Sequence, residues 1–301
     1  MSHLCCFLQS LSGGWGEASR AERRVRGVAG FMRHIEECRN VSLPGGRLAL
    51  RLAGTPVGWM RPSLGEALAG YPEIASREDG MDLRTPAALP LIARDLSDRG
   101  FFRWRGEAFD VRATPSGPVL ARLDRGGLPA FGVEAAGVHL NGLVRRAGGV
   151  FLWVARRAAT KTLDPGKLDH IVAGGVPAGL TPLATLIKEA GEEAAIPPEL
   201  AARSTYVATI GYAMERAEGL RRDRILCFDL DLPEDFVPRA VDGEVEDFEL
   251  WPASRVLEAV RETDLFKFNV NLVLIDLFIR TGLVRGAEAA TLRTALAAQT
   301  A

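Results

Sequence analysis

GGVPAGLTPLATLIKEAGEEAAI, the stretch from Gly174 to Ile196, decides how the chain is read. Its two leading glycines open a loop. Thr181 is a good N-cap, and Pro182 falls at the first helical position, where no N–H is needed. Leu183, Leu186, Ile187 and Ala190 recur at helical spacing and predict an apolar face. Glu189, Glu192 and Glu193 stand at i, i+3 and i+4, so their carboxylates project from one side of the predicted helix. Acids crowded in this way repel unless something positive sits between them. Hard divalent cations such as Mg²⁺ bind oxygen ligands of this kind, usually beside substrate phosphates.

Outside this stretch, composition narrows the classes of function. The chain has 301 residues, enough for one large or two ordinary domains. Hydrophobic residues make up 47% and charged residues 25%, as in ordinary globular proteins. A net charge of −1 marks neither a nucleic-acid binder nor a protein that seeks anionic membranes. The most apolar run, Val270 to Ile279, is broken by Asn271 and Asp276 and falls short of the ~20 residues a membrane span needs. Cys5, Cys6, Cys38 and Cys227 show neither metal-site spacing nor a disulfide framework, which points to a reducing, cytoplasmic setting.

Residues 1–31 carry scattered apolar residues and an Arg/Glu cluster, and are expected to be a disordered extension, with Met32 opening the folded chain. Residues 32–125 then read as a small α+β module. A short helix runs from Arg33, strands lie within Arg47–Met60, helices begin at Ser63 and Pro90, and further strands fall between Phe101 and Leu123. Residues 126–301 form the second unit. A hairpin is expected from Gly137–Arg146 and Val150–Arg157, and a later strand delivers Gly174 and Gly175. Strands follow at Ser204–Ala213, Arg224–Leu232 and Phe248–Trp251, with helices at Ser254–Arg261 and Asn269–Thr281. This order suits a mixed sheet between helices, an α/β/α arrangement within the α+β class.

The Gly174–Ile196 stretch resembles the Nudix box, whose pattern is G-x5-E-x7-R-E-U-x-E-E-x-G-U with U apolar. Gly174 takes the first position, Lys188 that of the Arg, Glu189 the next Glu, and Glu192 and Glu193 the acidic pair. Leu180 replaces the first Glu, Lys188 the Arg and Ala195 the late Gly, so the helix exit is not expected to use positive φ freely. HIEECRNV, FGVEAAGVHLNG, ARRAATKTLDPGKLDHIVAGGVPAG and DGEVEDFELW extend the likeness to one Nudix subfamily, related to the Nudix part of fungal thiamine pyrophosphokinase, with plant plastid relatives. The resemblance covers the chain from Met32 onward, including that subfamily's N-terminal domain. It implies an α/β/α Nudix sandwich and a diphosphate hydrolase dependent on Mg²⁺, with Mn²⁺ as its substitute. The implied partner is a small-molecule diphosphate, thiamine diphosphate or its oxidised analogues before nucleoside diphosphate derivatives. Nudix domains commonly dimerise, so a homodimer is among the implied assemblies.

In this reading Glu189, Glu192 and Glu193 are the catalytic metal ligands, with the Gly174 and Gly175 backbone approaching metal and phosphates closely. Glu244 and Glu246, two residues apart after an Asp-Gly turn, share one strand face, and Glu244 is the candidate additional base or ligand. Arg157, Lys161 and Lys167 around the Thr-Lys…Pro-Gly-Lys loop are candidate phosphate contacts. His139 and Asn141 point the same way from one strand, as a structural pair or as substrate contacts. His170 is a weaker candidate base. Two other readings compete: an isopentenyl-diphosphate-isomerase-like enzyme, for which Cys227 would be the cysteine, and a binding module with dead chemistry.

Overall fold

The computed structural model describes residues 27–298, so the expectation for residues 1–26 lies outside them. Helix α1 (Gly27–Glu37) shows that the folded chain does not wait for Met32. Phe31 is fully buried, and with Ile35 it packs among the C-terminal helices rather than in the upstream module.

The upstream module has its own core. Strands β1 (Leu48–Leu52) and β2 (Thr55–Met60) form a hairpin, followed by helix α2 (Pro62–Leu68). Strands β3 (Ile74–Arg77) and β4 (Gly80–Leu83) complete a four-stranded sheet in the order β2-β1-β4-β3, with β1 and β4 parallel. Each is four residues long, too short to show a periodicity of its own. Helix α3 (Leu89–Asp98), the hairpin β5 (Ala108–Val111) and β6 (Ala121–Asp124), and the single turn α4 (Leu128–Phe131) close the module around Leu50, Met60, Leu96, Phe109 and Phe131.

The second unit opens with the long hairpin β7 (Glu134–Arg146) and β8 (Gly149–Arg157). Strands β9 (Leu168–Asp169) and β10 (Val172–Gly175) precede the box helix α5 (Pro182–Ala194). The single turn α6 (Pro198–Ala201), strands β11 (Thr205–Arg216), β12 (Gly219–Asp231) and β13 (Val245–Pro252), and helices α7 (Ala253–Glu262), α8 (Val270–Arg280) and α9 (Gly286–Ala297) follow. The sheet runs β11-β12-β7-β8-β13, and β12 lies parallel to β7, which makes it mixed as expected. β7 is shared along its length: its first half pairs with β10 and its second half with β8, which carries β9 further along that same edge and β13 on its other edge. The sheet therefore splits beside β7, and the box helix lies against this split.

Side chains alternate across β7. Val138, Leu140 and Val144 meet Leu186, Ala190 and Ala194 of α5. Leu143 faces the other way, into a core built with Phe278 of α8, Val256 of α7 and Phe31 of α1. The two helical layers on opposite faces are the α/β/α sandwich. Helix α9 has no counterpart among the predicted elements, because its buried side is thin, with Ala289 and Leu292 inside. Among the described residues no helix is long and apolar enough to cross a membrane.

Candidate active site

The box helix starts as its sequence dictates: the Thr181 hydroxyl accepts the Ala184 N–H at 3.2 Å, with Pro182 at the first helical position. Its buried face differs from the apolar spacing alone. Leu183 is 41% exposed, while Thr185, Leu186, Ala190, Glu193 and Ala194 are buried. The helix is turned so that a carboxylate, not Leu183, enters the split of the sheet. Ala195 adopts φ 54°, ψ 32° despite its Cβ, and the next residue, Ile196, donates back to the Ala190 carbonyl and is itself buried. The expectation that alanine here would avoid positive φ is thus corrected: the buried Ile196 anchor fixes the exit and the residue bears the strain. Ala195→Gly is expected to stabilise the fold by roughly 1 kcal/mol, read as a higher urea midpoint at unchanged slope, because glycine carries no penalty in this region.

The three box acids share one side of the helix but not one environment. Glu193 is 6% exposed, and its Oε2 accepts the Ala173 N–H of β10 at 2.9 Å. Burial pushes its carboxyl well above the usual carboxylate range, and the nearby charges of Asp169, Glu189 and Glu244 push the same way. The Glu189 side chain is 18% exposed, and burial raises its carboxyl against the pull of Lys188. The Glu192 side chain is 50% exposed. Lys188 bridges Glu189, at 3.1 Å, and Glu192, so a point charge serves where the pattern has a fork. The glycines make this approach feasible: a Cβ on Gly174 would lie 2.6 to 2.9 Å from the Glu189 side chain, and one on Gly175 would lie 2.6 Å from the Phe109 ring.

A cleft opens beside Glu193, lined also by Arg157, Lys161, Asp169, His170 and Glu244. The DGEVEDF segment clamps the Thr-Lys loop from its far side. Glu244 precedes β13, pairs with Lys161 and accepts the Ala158 N–H at its carbonyl, while Glu246 accepts the Ala159 N–H at 2.9 Å. Asp242 makes the turn, its carboxylate accepting the Glu244 N–H at 2.8 Å. Burial works to raise the Glu244 carboxyl, but Lys161 outweighs it and holds it below its usual value.

Two of the candidate phosphate contacts are placed differently from the sequence expectation. Arg157 is buried and committed to the protein: it binds Asp169 at 2.6 Å and the carbonyls of Asp164 and Leu163 at 3.1 and 2.9 Å. It therefore anchors the loop it was expected to project from. Lys167 does not line the cleft; its charge bears on His34 and Asp264. Both expectations came from positive charge near the box in sequence, which is blind to Asp169, the carboxylate that claims Arg157, and to the direction in which Lys167 leaves the loop.

Behind the cleft, His139, Asp169 and His170 come together. The two imidazoles meet Nδ1 to Nδ1 at 2.8 Å, and Asp169 accepts the His170 backbone N–H at 2.9 Å. Their potential ligand atoms lie within 4.8 Å of one another. Arg157 at 2.6 Å and Lys267 at 3.6 Å already neutralise Asp169, so a dication would enter a net cationic pocket. The box acids, by contrast, are hard oxygen donors with too little positive charge among them, and they fit a metal of the Mg²⁺ type. Asn141 binds Asp229 at 2.8 Å instead of facing the cleft. Cys227 is a free, buried thiol in the core beneath α8, so no cysteine of β12 faces the cleft.

A mixed sheet split beside a strand that ends in two glycines, with an acidic helix laid on the split, is the arrangement the Nudix resemblance implies. The family model described as the NUDIX domain matches residues 136–270. Nudix hydrolase 20, chloroplastic, of Arabidopsis thaliana is 35% identical over 289 residues, covering 89% of this chain and 77% of that protein. Nudix hydrolase 24, chloroplastic, of the same plant is 39% identical over 208 residues, covering 69% of this chain and 57% of that protein. Among solved structures, DR0079 from Deinococcus radiodurans aligns with TM-score 0.44 and 20% identity, over 56% of this chain and 97% of that one. The chain belongs to the Nudix hydrolase family and is a hydrolase of pyrophosphate bonds.

Proposed function

We propose that this protein is a Mg²⁺-dependent hydrolase of a small-molecule diphosphate, thiamine diphosphate or an oxidised analogue in preference to nucleoside diphosphate derivatives. The observation that supports the chemistry is the convergence of Glu189 and Glu193 on the glycine strand beside a cleft that also holds the Lys161–Glu244 pair. The substrate preference rests on the subfamily resemblance, because family and fold do not fix a pocket.

In this reading Glu189, Glu192 and Glu193 hold the metal, with the Gly174 backbone beside them. The bound ion would neutralise phosphate oxygens and ease deprotonation of the attacking water. Lys188 keeps Glu189 and Glu192 apart from mutual repulsion. Gly175 leaves room for the diphosphate, Lys161 turns from Glu244 to a phosphate oxygen, and the freed Glu244 carboxylate orients the water. Water oxygen bonds to phosphorus, the bridging P–O bond breaks, and the bridging oxygen leaves with the other phosphoryl group. Arg157 serves as a positioning residue. The buried thiols Cys38 and Cys227 suit a reducing, cytoplasmic compartment, and the functional unit is a homodimer.

The test is release of phosphate and monophosphate from thiamine diphosphate, its oxo and oxy analogues, ADP-ribose, NADH and nucleoside triphosphates. Selective cleavage of the thiamine compounds is expected with Mg²⁺ or Mn²⁺, with a rate that rises toward alkaline pH. Full activity in EDTA would overturn the metal assignment, and cleavage confined to the nucleotides would overturn the substrate.

A further inference from the structure

The upstream module reaches the glycine strand. Its strand β5 is pinned to the loop after β10: the Ala178 N–H donates to the Ala108 carbonyl at 2.7 Å, and the Phe109 ring packs over Gly175. Next to this contact, the buried Asp124 carboxylate accepts four backbone N–H groups, from Arg105, Gly106, Glu107 and Gly126, at 2.7 to 3.1 Å. A carboxylate so occupied locks the two loops at this end of the β5–β6 hairpin into one shape. Those loops carry Glu107 and Arg125, paired at 2.9 Å and tied again by the Arg125 N–H to the Glu107 carbonyl at 2.7 Å. Glu107 and Arg125 flank the paired residues Ala108 and Asp124, and Ala108 is the residue that holds the loop after β10, so the pair stands beside the glycine strand.

We propose that Arg125 is a substrate-binding residue supplied by the upstream module, reaching the diphosphate from beside the glycine strand. The cations around the cleft explain why one is needed. Arg157 and Lys267 are consumed by Asp169 and Lys188 by Glu189 and Glu192, which leaves Lys161, once it turns from Glu244, as a single point charge for a diphosphate. The Arg125 and Glu107 side chains are 55% and 36% exposed, so their pair contributes little to stability and is cheaply exchanged. The guanidinium fork matches two oxygens of a phosphate, a geometry no lysine offers. The module thus completes the binding site.

This inference rests on the proposed diphosphatase activity, and the experiment separates the two. Steady-state kinetics of the full chain on the best-cleaved panel substrate are compared for wild type, Arg125→Ala, Arg125→Lys and Glu107→Gln. Binding of methylenediphosphonate with Mg²⁺ is measured alongside by calorimetry. Arg125→Ala is expected to raise KM and the methylenediphosphonate Kd about tenfold or more, the size of a lost charge-assisted hydrogen bond. It should leave kcat within about threefold and Tm unchanged, the pair being exposed. Arg125→Lys should recover part of the loss, and Glu107→Gln should match or tighten wild-type binding by freeing the guanidinium. Wild-type KM and Kd in Arg125→Ala, while Glu193→Gln is inactive, would overturn this role alone. A wild-type chain that cleaves nothing in the panel would overturn the activity on which the role depends.

Discussion

Glu193→Gln is expected to turn over at least about 10²-fold more slowly than wild type and yet to be more stable than wild type in the absence of metal. The rate loss follows from removing one charged oxygen from a preorganised site, where a single donor or ligand is worth about 10² to 10³ in rate. The gain in stability follows from burial. The Glu193 carboxyl is raised well above its ordinary value near 4.5 because the folded chain desolvates it. The metal-free folded state therefore holds a proton that the unfolded chain has released, and it loses stability as pH rises from the ordinary value through the raised one. Glutamine keeps an amide oxygen for the Ala173 N–H but cannot ionise, so this loss disappears. In EDTA the Tm advantage of the variant should be absent near pH 4 and grow toward pH 8. Metal reverses the order, since it requires the ionised carboxylate. The rise in wild-type Tm on adding Mg²⁺ should grow over the same pH range and be small in the variant. Near-wild-type turnover, or an undiminished Mg²⁺ response, would remove Glu193 from the metal site.

How far the residues could be read depended on the range of the interactions that place them. Thr181 and Pro182 fix a helix start by contacts within one turn, so that boundary was legible. The spacing of Glu189, Glu192 and Glu193 fixed a common face, but not that one would be buried and another half exposed. That difference comes from the split beside β7, which exists only after three strands have paired. Leu183 shows the same limit, as an apolar residue displaced from the interior by an acid with a site to serve. Charged residues read worst. Arg157 and Lys167 lie near the box in sequence, but their roles depend on Asp169 and on the α1 region. Arg125 and Glu107 lie well upstream of the box and gave no signal, because the hairpin that carries them reaches the glycine strand only in the folded chain. Asp124, which shapes those loops through backbone N–H groups, looks in the sequence like any surface aspartate.

Asp169→Ala is expected to destabilise the fold by about 3 to 5 kcal/mol, the cost of removing one partner from a buried ion pair, out of a total of roughly 5 to 15 kcal/mol for a domain. The carboxylate is buried, with Arg157 at 2.6 Å and Lys267 at 3.6 Å, and its loss strands two cations away from water. Burial alone would raise this carboxyl, but Lys267 and Arg157 outweigh it and hold it far below the usual range. Its contribution is therefore present above the ordinary value of 3.8 and is lost as pH falls through the depressed one. Urea denaturation at pH 7 should show the full deficit in the variant, and the gap to wild type should narrow only in strong acid. Asp169→Asn keeps an oxygen for the His170 N–H but not the charge, and should fall between the two. Activity should fall with stability, because Arg157, once unpaired, no longer holds the Leu163 and Asp164 carbonyls that fix the loop carrying Lys161. A deficit below about 1 kcal/mol would be the value of an exposed pair and would mean that water reaches Asp169. The floor of the cleft would then be hydrated and mobile, and Arg157, no longer held by the protein, would be free to meet a phosphate as its sequence position first implied.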